Sequence, residues 1–219
     1  MSGVDSILLR NALELVRKDD VVWDIGANVG LFTFAAAAIS GAHGKVVAFE
    51  PDPFLVQLLR KSKSIQSKNR SDVVVVPAGV ASTVALRNFL ITSRSRAYNS
   101  FSEYGKSDIH GLSEEYQVPV FNLDWLLDSF KPPDIIKCDV EGAELEVFME
   151  QARVFDKVRP VIITEVSSNL SADGLTKLFK EKGYLLYDAE KSLFGAAEIH
   201  KVTFNTIAIP NEKREIYLS

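Results

Sequence analysis

Short runs of β-branched residues alternate with longer stretches of helical period along most of this chain. Val21–Ile25 precedes an apolar block at 31–40, Lys45–Phe49 precedes an amphipathic stretch at 53–67, and 73–76 is four valines in a row. Strand, helix, strand, helix, strand in this order predicts a parallel sheet covered on both faces, because parallel strands need a crossover and are buried on both sides. Glycine and proline mark the boundaries: Gly26 and Gly30 precede the first core helix, Gly41 and Gly44 follow it, and Pro51 and Pro53 open the next. Within residues 1–20, Ile7, Leu8, Asn11 and Leu15 fall on one face of an N-terminal helix.

The rhythm breaks after Gly79. Residues 84–91 predict an extra strand, whereas 92–117 is polar, serine-rich and aromatic without helical period, and reads as a substrate-side loop or lid. Beyond it the pattern predicts a strand at 118–123, a short helix capped by Asp124, a strand at 134–138, a helix at 143–152, a strand at 161–165 and a helix at 175–182. Strands at 184–187 and 201–209 then form a terminal antiparallel hairpin. With no repeat, linker or low-complexity segment, residues 1–219 read as one domain.

Composition narrows the function classes. The 219 residues are 47% hydrophobic and 25% charged, which is globular, and a chain of that length buries roughly 70% of its unfolded surface. A net charge of -4 without a lysine/arginine block excludes a nucleic-acid or membrane surface held by bulk charge. The single cysteine, Cys138, cannot form an internal disulfide. Without a signal-peptide pattern near Met1 or an apolar run approaching the roughly 20 residues of a membrane span, the chain reads as cytoplasmic.

The first strand runs into Asp24-Ile25-Gly26-Ala27-Asn28-Val29-Gly30, a glycine turn between a buried strand and a helix N-terminus, which is a ligand position in open α/β sheets. A dinucleotide fingerprint would have glycine where Asn28 stands, and Asp24 would repel a pyrophosphate. The same acid attracts a cofactor that carries an ammonium and a sulfonium and no phosphate, which describes S-adenosylmethionine. Glu50, followed by Pro51 at the end of the second strand, is placed to accept from both ribose hydroxyls. Gly79, after the third strand, lies where an adenine would rest. The bland alternative is that Asp24 and Glu50 are solvated strand ends and the glycines helix-entry turns.

These stretches resemble the FkbM-type methyltransferases, a branch of the class I S-adenosylmethionine-dependent fold. The likeness is carried by Val22 to Gly30, by Val47-Ala48-Phe49-Glu50-Pro51 and, most specifically, by Lys137-Cys138-Asp139-Val140-Glu141-Gly142-Ala143-Glu144, with Val161–Glu165 extending it. The resemblance implies a Rossmann-like three-layer α/β sandwich with a mostly parallel seven-stranded sheet, and methyl transfer to oxygen.

Alternation along the fourth core strand sends Lys137 and Asp139 one way and Cys138 into the core. If the strands bearing Asp139 and Glu165 are neighbours, Lys137, Asp139, Glu141 and Glu165 converge beside the sulfonium position. Asp139 and Glu165 are then candidates to orient or deprotonate a hydroxyl, with Lys137 easing negative charge and Asp139 also facing the cofactor. The alternative is a Lys137–Glu165 ion pair stabilising the sheet edge, and acids at 141 and 144 complementing a helix start. A magnesium ion between the two carboxylates is disfavoured by Lys137, and one cysteine with three scattered histidines, His43, His110 and His200, argues against zinc, so no metal is expected. In the proposed lid, Arg94, Arg96, Tyr98, Asn99, Phe101, Tyr104 and Tyr116 suit a hydroxylated ring or sugar, or else anchor the loop to the body; His110 there reads as a surface residue.

The expectation is an O-methyltransferase acting on a hydroxyl of a small molecule or glycan, polyketide- or sugar-like. Its rivals are a nicotinamide-dependent oxidoreductase and a non-catalytic cofactor-binding protein of the same fold.

Overall fold

A computed structural model describes residues 5–92, 100–101 and 112–218. The helices are α1 (Ser6–Leu15), α2 (Leu31–Ser40), α3 (Pro53–Ser64), α4 (Leu123–Ser129), α5 (Glu144–Phe148), α6 (Asn169–Glu181) and α7 (Arg214–Leu218). The strands are β1 (Val21–Ile25), β2 (Lys45–Phe49), β3 (Asp72–Val76), β4 (Gly79–Val80), β5 (Ala85–Thr92), β6 (Ser100–Phe101), β7 (Leu112–Phe121), β8 (Ile135–Cys138), β9 (Val161–Glu165), β10 (Tyr184–Asp188), β11 (Glu198–Ile199) and β12 (Asn205–Pro210). The main sheet has eight strands in the order β11-β10-β12-β9-β8-β1-β2-β3. Its strands β3, β2, β1, β8 and β9 are mutually parallel, and β12 runs antiparallel to both β9 and β10.

Strand alternation sorts the core into two layers. Val22, Val46, Ile135, Val161 and Ile163 meet α1 and α2 on one face. Trp23, Phe49, Ile136, Cys138 and Ile162 meet the helices after β7 on the other, where Trp23, Phe49 and Phe130 pack edge to face. Each large apolar side chain so enclosed contributes roughly 1.5–3 kcal/mol, which holds the strand ends in fixed register. The succession of strands reverses direction between β1 and β8, and ligands bind outside the carboxyl ends of strands at such a switch point. Asp24 and Lys137 are register partners across that junction.

Several expectations needed correction. The seven-stranded sheet gains an eighth, two-residue edge strand, β11. The strand expected at 118–123 begins at Leu112 and does not join the main sheet; it pairs with β5 in a second sheet, order β4-β7-β5-β6. That sheet covers only a small core of Ala81, Phe89, Ile91, Val118 and Val120, and its other face carries exposed polar residues such as Glu115 and Gln117, which hid the strand in a polar segment. Residues 93–99 and 102–111 of the expected lid, with Arg94, Arg96, Tyr98, Asn99, Tyr104 and His110, lie outside the described residues. Asn122 rather than Asp124 caps α4, accepting from the Trp125 N–H at 2.7 Å; Asp124 instead accepts from the N–H groups of Arg153 and Val154. The helix expected at 143–152 ends at Phe148 and is followed by a π-turn at Val154–Val158. The helix expected from 175 starts at Asn169, because the Ser168 hydroxyl caps it by accepting from the Ser171 N–H. Among the described residues no helix is long and apolar enough to cross a membrane.

Candidate active site

The turn leaving β1 is shaped by backbone demands that only some residues meet. Gly26, Asn28 and Gly30 all have positive φ, of 72°, 51° and 88°. At Gly26 a Cβ would lie 1.9 Å from the main-chain oxygen of Asp139, so the turn rests directly on the exit of β8. The N–H groups of Gly26 and Ala27 both donate to the Phe49 carbonyl, which fastens the turn to the end of β2. An L side chain at position 26 is therefore excluded by space as well as by conformation.

Beneath the turn sits a closed ionic array. Asp24 is 0% exposed; Thr33 Oγ1 donates to its Oδ2 at 2.5 Å, and Lys137 Nζ lies 3.3 Å from its Oδ1. Lys137 also donates to the Gly26 carbonyl at 2.7 Å and pairs with Asp139 at 3.4 Å. Burial works against the lysine charge, but Asp24 and Asp139 outweigh it and hold the ammonium above its ordinary range. This geometry revises two readings. The Asp24 carboxylate is wholly enclosed, not open to a ligand, and anchors Lys137 under the glycine turn. Lys137, in turn, pairs with Asp24 and Asp139 and not with Glu165, which has no ion-pair partner among the described residues.

Glu50 is buried and holds the turn from the other side. Its Oε2 accepts from the Asn28 N–H at 2.8 Å and its Oε1 from the Asp52 N–H at 2.9 Å. Burial raises its pKa to about 7 despite these two bonds, and Asp52 adds to the rise. A carboxylate has about four acceptor positions, so each oxygen keeps one free for a hydroxyl. A vicinal diol such as the ribose of S-adenosylmethionine fits that pair of free positions. Pro51 follows, half-buried, between Glu50 and the Asp52 cap of α3. Gly79 is buried at the start of β4, its backbone in register with Val120 in the second sheet.

Past β8, Glu141 and Gly142 take consecutive left-handed conformations, and Asp139 is tied back by its N–H donating to the Ile25 carbonyl. Glu144 is buried in this turn, its Oε1 accepting from the Gly142 N–H at 2.8 Å, so it shapes the loop, whereas Glu141 is exposed. Glu165 ends β9, half-buried; burial raises its pKa to about 7, and the charges of Asp139 and Glu141 add to this. Asp139 and Glu165 line one small pocket beneath α1. Cys138 is fully buried, its thiol pKa pushed up by burial, and His43 and His200 are exposed on the surface. The sequence reading missed Thr33, whose signal is a hydroxyl inside the apolar run 31–39, and gave no role to Asn11, a polar residue on an apolar stripe.

Comparison with known proteins identifies the family and the fold. The model of the methyltransferase FkbM domain matches residues 24–186. The hexuronic acid methyltransferase AglP of Haloferax volcanii is 29% identical over 178 residues, covering 80% of this chain and 67% of that protein. Among solved structures, a precorrin-6y C5,15-methyltransferase from Geobacter metallireducens GS-15 aligns with TM-score 0.54 at 15% identity, over 96% of this chain and 90% of that one. Methyltransferase FkbM from Methylobacillus flagellatus KT aligns with TM-score 0.53 at 15% identity, over 91% of this chain and 50% of that one. These two structures share the fold.

Proposed function

The chain belongs to the FkbM methyltransferase family and is an S-adenosylmethionine-dependent methyltransferase, and from that premise we propose that it methylates a hydroxyl oxygen of a sugar-like acceptor. The nicotinamide alternative falls with the family assignment. The bound cofactor supplies an electrophilic methyl group on a sulfonium. What remains for the protein is to hold an acceptor oxygen in line with that methyl, keep water out and take up the hydroxyl proton.

The observation that carries the reading is that Asp139, at the exit of β8, and Glu165, at the end of the neighbouring β9, line one pocket, with Lys137 linking Asp139 to the glycine turn. Asp139, held by Lys137, orients the acceptor. Glu165, with a pKa of about 7 and no ion-pair partner among the described residues, suits the proton acceptor near neutral pH. Glu50 with Gly26, Asn28 and Gly30 holds the nucleoside end, and Asp24 and Lys137 position them. A sugar-like acceptor is supported by the relative that acts on a hexuronic acid.

Calorimetric titration with S-adenosylmethionine, S-adenosylhomocysteine and NAD, followed by transfer of labelled methyl to a panel of glycosides, tests this. Binding of both sulfur compounds but not NAD is expected, with label on a hydroxyl oxygen. Asp139→Asn should keep S-adenosylhomocysteine affinity and lower turnover by about 10²-fold or more. Label found only on nitrogen or carbon, or undiminished turnover in Asp139→Asn, would overturn the reading.

A further inference from the structure

Helix α1 carries no recognisable motif, yet it closes a pocket on the acceptor side of the site. Asp5, Leu8 and Asn11 from the helix face Asp139, Glu165 and Asn205 from the sheet across a cavity of about 40 Å³. The helix is a fixed wall. Ala12 and Leu15 are fully buried, Arg10 donates to the Ala189 carbonyl at 2.6 Å, and Glu14 accepts from the Ser192 hydroxyl and the Leu193 N–H.

Asn11 is the anomaly in that wall. It is 2% exposed, yet its Oδ1 has no hydrogen-bond partner among the described residues. A buried amide oxygen left so costs about 1–3 kcal/mol, whereas a leucine there would extend the apolar stripe of α1 without that cost. The rest of the lining is rich in acceptors. Asp5, Asp139 and Glu165 are carboxyl groups, the one ammonium, Lys137, is committed to Asp24, Asp139 and the Gly26 carbonyl, and the Asn205 amide donates to Glu190. Thr164 Oγ1, also buried there without a hydrogen-bond partner among the described residues, can give or take a bond. The group that would complete this pocket donates to Asn11, can exchange a bond with Thr164 and carries no negative charge, as a neutral hydroxyl does.

We propose that this pocket is an acceptor-selectivity subsite that seats an uncharged hydroxyl or hydroxymethyl arm of the acceptor next to the oxygen being methylated, and turns carboxylates away, with Asn11 reading the arm. The inference rests on the hydroxyl-transfer reading above and narrows it: among sugars, the neutral ones are selected over the uronic acids. The volume suits one such arm and no more, so the rest of the acceptor lies outside it.

Ethylene glycol and glycolate, a matched neutral and anionic pair, serve as probes of the S-adenosylhomocysteine-loaded protein, by crystal soaking and saturation-transfer NMR. The glycol is expected in the pocket with a hydroxyl on the Asn11 amide, with glycolate at least tenfold weaker. Asn11→Leu should abolish the glycol signal, leave S-adenosylhomocysteine affinity unchanged and leave the melting temperature equal or higher. Asn11→Ala serves the same end if the leucine does not pack. Equal or tighter binding of glycolate, water alone in the pocket, or a lowered melting temperature with glycol binding intact would each overturn the proposal. Loss of S-adenosylhomocysteine affinity in the parent protein would instead strike the methyltransferase reading.

Discussion

The two ends of the site solve their polar groups in opposite ways. At the cofactor end Asp24, Lys137 and Glu50 are buried and answered from within the protein, by Thr33, Asp139 and the N–H groups of Asn28 and Asp52. At the acceptor end Glu165 stands without an ion-pair partner and Asn11 keeps an unbonded amide oxygen, both among the described residues. In the proposed reading the first arrangement preforms the cofactor's seat and the second costs stability until an acceptor arrives. Breaking the Asp24–Lys137 pair should therefore lower stability, and replacing Asn11 or Glu165 should raise it.

The largest expected effect is at Lys137. Lys137→Met leaves Asp24 enclosed without its counter-charge and should cost roughly 3–5 kcal/mol by urea denaturation, partly recovered when Asp24→Asn is added. A single variant as stable as the parent would break the comparison at its strongest point. Gly26→Ala comes next: the clash with the Asp139 carbonyl and the positive φ together cost roughly 2–5 kcal/mol, and S-adenosylhomocysteine affinity should fall with stability. Glu50→Ala is expected to weaken that affinity by about 1–3 kcal/mol in calorimetry, and unchanged affinity would remove Glu50 from the site.

At Glu165 the sign is opposite to that at Lys137, and Glu50, whose pKa burial likewise raises to about 7, shares it. Glu165 has a folded pKa of about 7 against an ordinary 4.5, so the folded state holds that proton more tightly than the unfolded one. Its contribution favours folding most below 4.5 and declines as pH rises through about 7. Glu165→Gln removes the decline and should add about 1 kcal/mol at about pH 8, after allowance for its partial exposure. The same variant should lower turnover and flatten its rise around neutral pH. Thermal melts across pH separate this from a packing role, since a lost packing contact would lower stability at every pH.

Much of this was legible because the signals are local. The switch from period two to helical period located β1, β2, β3, β8 and β9, and alternation along β8 separated Lys137 and Asp139 from the buried Cys138. Glycines 26 and 30 marked a turn whose positive φ angles are a property of the backbone itself. Glu165 was equally visible, since a charge that closes an apolar run marks where the strand leaves the core and its side chain can meet water, whereas Asp24 and Glu50, read the same way, are buried.

What stayed hidden depends on contacts between distant segments. The partner of Lys137 is decided by sheet register: its neighbours across the ladders are Asp24 and Ile163, which places Glu165 two residues, about 6–7 Å, further along its strand. The second sheet and the start of β7 escaped because a hairpin with one solvated face reads as a polar segment. Asn11 shows the same limit at a single residue. Periodicity alone put it on the buried face of an N-terminal helix, through the 3.6-residue repeat that any chain of this pattern must follow. Only the docking of that helix across the ends of β8 and β9 left its amide without a partner beside Asp139 and Glu165, because which groups a buried side chain meets is set by the packing of elements far apart in the chain.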